Sequence, residues 1–180
     1  MKRAIYLTIA IAVAATFAFA DGDKEYKEYK KGFVKRNAAL EPLYKKECSD
    51  CHMAYQPEFL PKRSWKKMMA TLSDHFGTDA TIDDNDSKMI LKYLSSNAAD
   101  TKRLYGDFRK FLRSIPKDKT PLRISEIPYF KKEHRKIPKK YIKQKEVKSF
   151  ANCKACHQKA DMGDYSERNI FIPNYGKWED

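Results

Sequence analysis

The chain has 180 residues, 37 basic against 24 acidic side chains, a net charge of +13 and a mean hydropathy of −0.76. That polarity would suit a disordered chain, but 42% apolar and 13% aromatic residues argue for a folded core. A chain this basic suits nucleic acid, an anionic membrane surface or an acidic partner.

Lys2 and Arg3 precede an uncharged apolar run from Ala4 to Phe17, and Ala18-Phe19-Ala20 then reads as a small-x-small cleavage site. This is the layout of a secretory signal peptide over residues 1–20. The competing reading is an uncleaved anchor, for which a run of 17 residues, Ala4 to Ala20, is at the short limit of a bilayer span. Cleavage leaves an exported, soluble chain of 160 residues with no stable membrane insertion, enough to bury roughly two-thirds of its unfolded surface. Export argues against nucleic acid as a partner.

In the mature chain, Glu41-Pro42 opens a helix through Leu43–Glu47, with proline in its first turn. Ser64 is expected to cap a second, with Trp65, Met68, Leu72 and His75 at helical spacing and Gly77 as the stop. Asp83 or Asp84 caps a third, with Met89, Ile90, Tyr93 and Leu94 on one face. A boundary near residue 100 divides the mature chain into two units at 21–100 and 101–180. Leu104, Phe108, Phe111 and Leu112 indicate a further helix broken at Pro116. Pro121, Pro128 and Pro138 then punctuate a stretch read as largely irregular. No run alternates well enough for a strand, so the fold is mainly α with long loops.

Haem enters this reading through the cysteines. Cys48-Ser49-Asp50-Cys51-His52 and Cys153-Lys154-Ala155-Cys156-His157 are two C-x-x-C-H motifs that use all four cysteines. This is the attachment pattern of haem c: two thioethers to the porphyrin and a histidine on the iron. The plainer alternatives are a zinc site or a redox dithiol. The 101 positions from His52 to Cys153 are far more than the dozen to twenty residues between zinc ligand pairs. The expected cofactors are two haem c.

Each iron then needs a second axial ligand, and only His75 and His134 remain of four histidines. His75 lies 23 residues after His52, and His134 lies 23 before His157, so local pairing is simplest. His134 sits in Lys131-Lys132-Glu133-His134-Arg135-Lys136, which alone would read as a solvated turn. Methionine is the rival ligand. Met53 and Met162 adjoin their own motifs too closely to reach an opposite haem face, whereas Met68, Met69 and Met89 compete at the first haem. Sulfur ligation would raise the reduction potential relative to bis-histidine.

The positive excess is local. Residues 101–148 carry 17 basic and 5 acidic side chains, whereas residues 21–100 carry 14 of each. This stretch is either a docking face that steers an acidic redox partner or a solvated surface.

At this point the chain resembles the bacterial dihaem cytochromes c. The matching residues are Cys48–His52, Leu60-Pro61-Lys62-Arg63-Ser64-Trp65, Asp74-His75-Phe76-Gly77, Arg123-Ile124-Ser125-Glu126-Ile127-Pro128-Tyr129-Phe130, Glu133-His134 and Ala151-Asn152-Cys153–His157. The resemblance implies an N-terminal domain like a class I cytochrome c with histidine in place of methionine, and a second haem domain of different build. It also implies bis-histidine ligation through His75 and His134. The partner it implies is a small oxygen-binding haem protein or a membrane b-type cytochrome.

The function expected is outer-sphere electron transfer by a periplasmic protein that is not an enzyme. The alternatives are a dihaem peroxidase or small-molecule reductase, which needs an iron that opens a coordination position, and a sensor with structural haems. Trp65 is read either as a haem contact or as ordinary core.

Overall fold

The computed structural model describes residues 39–101, 104 and 106–178. The signal expected at 1–20 lies outside them. Six α-helices and one small hairpin occur among the described residues, joined by loops and short 3₁₀ turns.

Helix α1 (Glu41–Cys48) starts with proline in its first turn, an acidic residue at its N-terminal end and two lysines near its C-terminal end. The proline suits a helix start and the charges suit the helix dipole, and Lys45 closes on Glu41 at 2.8 Å. The helix delivers Cys48 to the start of the first motif.

Helix α2 (Lys62–Ala70) departs from expectation at both ends. It begins after Pro61, so Ser64 lies inside it, fully buried, rather than capping it. It stops at Ala70 because the Thr71 hydroxyl donates back to the carbonyls of Lys67 and Met68 at 3.1 and 3.4 Å, and the backbone leaves helical geometry there. A 3₁₀ turn, Leu72–Asp74, follows, so His75 stands on a loop and not on a helix face. That loop is closed tightly. His75 and Thr78 exchange backbone hydrogen bonds at 2.8 and 3.3 Å, and Ala80 N–H donates to Leu72 at 2.9 Å.

Helix α3 (Asp84–Asn97) is capped by Asp83, whose carboxylate accepts from the N–H groups of Asn85 and Asp86 at 2.8 and 3.3 Å. Ile90, Tyr93 and Leu94 are buried as expected; Met89, placed on the same face from sequence, is 39% exposed. Helix α3 packs on α1 and α2.

Helix α4 (Gly106–Ser114) ends just before Ile115-Pro116. The stretch read as irregular holds two more helices, α5 (Pro128–His134) and α6 (Lys139–Lys143). Pro128 occupies the first turn of α5 and Pro138 precedes α6, so these prolines start helices instead of breaking them. Around the second motif the chain forms 3₁₀ turns at Cys153–Ala155, Ala160–Met162 and Glu167–Asn169. An antiparallel hairpin of β1 (Phe171–Ile172) and β2 (Gly176–Lys177) follows, in a chain for which no strand was expected.

One apolar cluster runs through Tyr44, Phe59, Trp65, Tyr93, Phe111 and Phe130, drawing on residues from both sides of position 100. Phe59 links the two sides, with the rings of Phe108 and Phe111 edge-on to it at 4.9 and 5.1 Å. Trp65 belongs to this cluster, 4% exposed, its indole N–H donating to the Pro57 carbonyl at 2.8 Å. No helix among the described residues is long and apolar enough to cross a membrane.

Candidate haem sites

At the first motif, α1 ends on Cys48 and the chain turns through exposed Cys51 to His52. The His52 Nδ1–H donates to the Met53 carbonyl at 2.8 Å, which leaves Nε2 with its lone pair free to bind a metal. The loop after α2 brings His75 to the same place. The two imidazole centroids are 6.1 Å apart with planes 27° from parallel. Burial, the neighbouring His52 and then Arg123 all hold the His75 pKa below its ordinary value, favouring the neutral ring.

The second site is built from different elements. His134 ends α5, with Nδ1–H donating to the Phe130 carbonyl at 2.9 Å and its ring stacked on Phe130 at 3.9 Å. Pairing with a carbonyl one turn back fixes its orientation, so the ring does not trail into solvent as its lysine-rich neighbours suggest. His157 follows the 3₁₀ turn carrying Cys153, and its centroid lies 6.1 Å from that of His134, planes 61° apart. Burial first, and His134 second, push the His157 pKa down to about 4, so the imidazole is neutral near pH 7. The His157 Nδ1 is buried without a hydrogen-bond partner.

The two sites thus share one dimension. Imidazoles that bind one metal from opposite sides, each through a nitrogen at about 2 Å, have centroids roughly 6 Å apart, whatever the angle between their planes. Met68 is 9% exposed within the apolar cluster, Met69 packs against that cluster, and Met89 points outward.

The surroundings fit a large, flat, mostly apolar group. A cavity of about 350 Å³ is lined by His134, Cys153, Cys156 and His157, and walled by aromatic rings including Phe59 and Trp178. Beside the first motif, a recess of about 540 Å³ is lined by Cys51 and His52, and also by Lys154, Asp161 and Met162 from the far end of the chain. Met162, five residues after His157 in the sequence, therefore lies against the first motif. Burial pushes the thiols of Cys48 and Cys153 up to about 11, and that of Cys156 upward. A redox-active dithiol needs the opposite shift. Among the described residues no group of three or more His, Cys, Asp or Glu could hold a metal ion, as a zinc site would require.

The family model for dihaem cytochrome c matches residues 44–165, a span that holds both motifs and all four histidines. The chain belongs to the dihaem cytochrome c family. It is a c-type cytochrome with two haem c groups. A diheme cytochrome c from Rhodobacter sphaeroides is 42% identical, covers 69% of this chain and 95% of its own, and superposes with a TM-score of 0.63. One from Shewanella baltica OS155 is 30% identical, covers 78% of this cytochrome and 98% of its own chain, with the same TM-score of 0.63. Comparison with curated proteins gives no match.

Several residues around the haem sites of this cytochrome carry no local signal in the sequence. The Tyr55 ring stacks on His52 at 4.7 Å, and its hydroxyl donates to the Ala151 carbonyl at 2.6 Å. Burial, then the nearby Cys153, hold that hydroxyl's pKa above its ordinary value. Gln56, 4% exposed, donates to the Ala160 carbonyl at 2.7 Å and accepts from the Tyr165 hydroxyl at 2.6 Å. Tyr165 in turn packs on His157 at 5.4 Å. The dipeptide Tyr55-Gln56 therefore touches the surroundings of both motifs.

Proposed function

We propose that this dihaem cytochrome c is an exported one-electron carrier in which His52 and His75 bind one iron and His134 and His157 the other. The observation that carries the reading is the 6.1 Å separation within each histidine pair. When bound, haem c supplies reversible one-electron chemistry at iron. The chain supplies neutral imidazoles, carbonyl acceptors that orient His52 and His134, and an apolar enclosure. A histidine on each side leaves no vacant position for oxygen or substrate, which favours electron transfer over peroxidase or reductase chemistry.

A partner of acidic surface fits best. Lys131, Lys132, Lys136, Lys139, Lys140 and Lys143 are all exposed on or beside α5 and α6, on the segment that presents His134. Such a field speeds encounter with an acidic protein and weakens with salt. An oxygen-binding haem protein or a membrane b-type cytochrome matches that role. The apolar run and cleavage pattern of residues 1–20 support export to a bacterial periplasm.

A redox titration followed by visible, near-infrared and paramagnetic resonance spectra tests the reading. Two low-spin haems without a sulfur-to-iron charge-transfer band are expected. A charge-transfer band, or rapid carbon monoxide binding by the reduced wild-type protein near neutral pH, would overturn it.

A further inference from the structure

The loop that presents His75 contains an arrangement that local propensity does not explain. Phe76 and Gly77 occupy the two centre positions of a tight turn, with φ of 58° and 90°, closed by the His75–Thr78 backbone pair. Positive φ at both positions makes this a type I′ turn, for which Asn-Gly is the favoured dipeptide. Glycine suits its place. Phenylalanine does not, because a bulky side chain at positive φ is strained. Protein side chains alone leave Phe76 43% exposed.

The ring has two specific contacts. It lies edge-on to His75 with centroids 4.8 Å apart, and the Arg123 guanidinium sits over it at 3.8 Å from the centroid. That is close for a cation–π pair. Arg123 stands some fifty residues away, immediately before the 3₁₀ turn Ile124–Glu126. Glu126 of that turn lies 3.6 Å from its Nε. After Ile127, fully buried, the chain enters α5, which ends on His134. A single side chain thus joins the loop bearing His75 to the segment bearing His134.

We propose that Phe76 and Arg123 are positioning residues: a brace that holds His75 at its haem iron and ties that placement to the segment carrying His134. The inference rests on His75 being an axial ligand. The Phe76 ring limits swing of the imidazole, and Arg123 limits swing of the ring, so the turn keeps a residue that its backbone disfavours. Loss of the brace leaves the loop folded but lets His75 leave the iron more often, which opens the first haem to an added ligand.

Phe76→Asn separates this from a purely structural role, because Asn tolerates positive φ and suits the turn better than Phe. The full holoprotein is used, with Arg123→Gln, Arg123→Lys and His75→Ala beside it. Imidazole binding to the oxidised protein, the low-spin resonance signals and thermal unfolding are measured. Phe76→Asn is expected to unfold no earlier than wild type, yet to bind imidazole at the first haem roughly two- to fivefold faster, the factor matching a cation–π contact between exposed groups. Arg123→Gln, which alters an exposed side chain, is expected to move the rate in the same direction, and Arg123→Lys to restore part of it. His75→Ala identifies the signal of the first haem by abolishing it. If it does so while Phe76→Asn and Arg123→Gln both keep the wild-type rate and signal, the brace is refuted and the ligand assignment stands. If His75→Ala leaves both low-spin signals intact, the ligand assignment falls and the brace with it.

Discussion

Replacing Gln56 by Leu removes the polar link between the two haem surroundings and shortens the side chain by one atom. In the native protein the Gln56 amide makes two hydrogen bonds, 2.7 Å to the Ala160 carbonyl and 2.6 Å from the Tyr165 hydroxyl, and the side chain is 4% exposed. Each bond contributes about 1 kcal/mol net, and stranding a buried acceptor costs about 1–3 kcal/mol. Ala160 is fully buried, so its carbonyl has no easy route to water. Tyr165 is half-buried, and its hydroxyl re-solvates more readily. The expected loss is about 2–4 kcal/mol. For a chain of this size that lowers the unfolding midpoint by roughly 5–15 °C. Tyr165→Phe, which strands the Gln56 carbonyl oxygen, should cost about 1–2 kcal/mol. The double variant should fall short of the sum of the two by about 1 kcal/mol, because the two residues share one bond. Denaturant unfolding of the holoprotein, followed by far-ultraviolet dichroism and Soret absorbance together, measures all three. A Gln56→Leu loss under about 0.5 kcal/mol, or strict additivity, would refute the reasoning.

Asp83→Ala removes the cap of α3 and should cost about 1 kcal/mol in unfolding experiments, without moving either haem spectrum. Trp65→Phe loses the indole bond to Pro57 and should lower stability by about 1–2 kcal/mol; unchanged haem potentials would place Trp65 in the core and nowhere else. Replacing Cys153 and Cys156 together by Ala should leave one covalently bound haem per chain after denaturation, counted by pyridine haemochrome absorbance, and empty the cavity of about 350 Å³. Charge reversal at Lys131, Lys132 and Lys136 should slow electron exchange with an acidic partner by about tenfold at low salt and by much less at high salt. A rate insensitive to both changes would identify the lysine-rich face as merely solvated.

Legibility in the sequence followed the range of the interactions. Capping at Asp83, proline in the first turn of α1, and the helix ending before Pro116 are effects of nearest neighbours, and all three were readable. The helix drawn through His75 failed because apolar spacing at Trp65, Met68 and Leu72 ignores the Thr71 hydroxyl, which competes for the last carbonyls. Pro128 and Pro138 were misjudged for a related reason: the same fixed φ that breaks a helix interior favours a helix start, and flanking residues show poorly which applies. Met89 was placed inward by periodicity alone, yet α3 presents it to solvent.

The cofactor and its number were set by covalent chemistry, since two C-x-x-C-H motifs that use every cysteine admit little else, and the shortage of histidines limited the further histidine ligands to two. Those are statements of composition and adjacency, which a linear chain carries complete. How Gln56 reaches Tyr165 across 109 positions and why Phe76 sits where Asn would be easier are matters of contact between distant segments. No pattern along the chain encodes them, because such contacts arise only when packing around Phe59, Phe111 and Phe130 draws the two halves onto a common core.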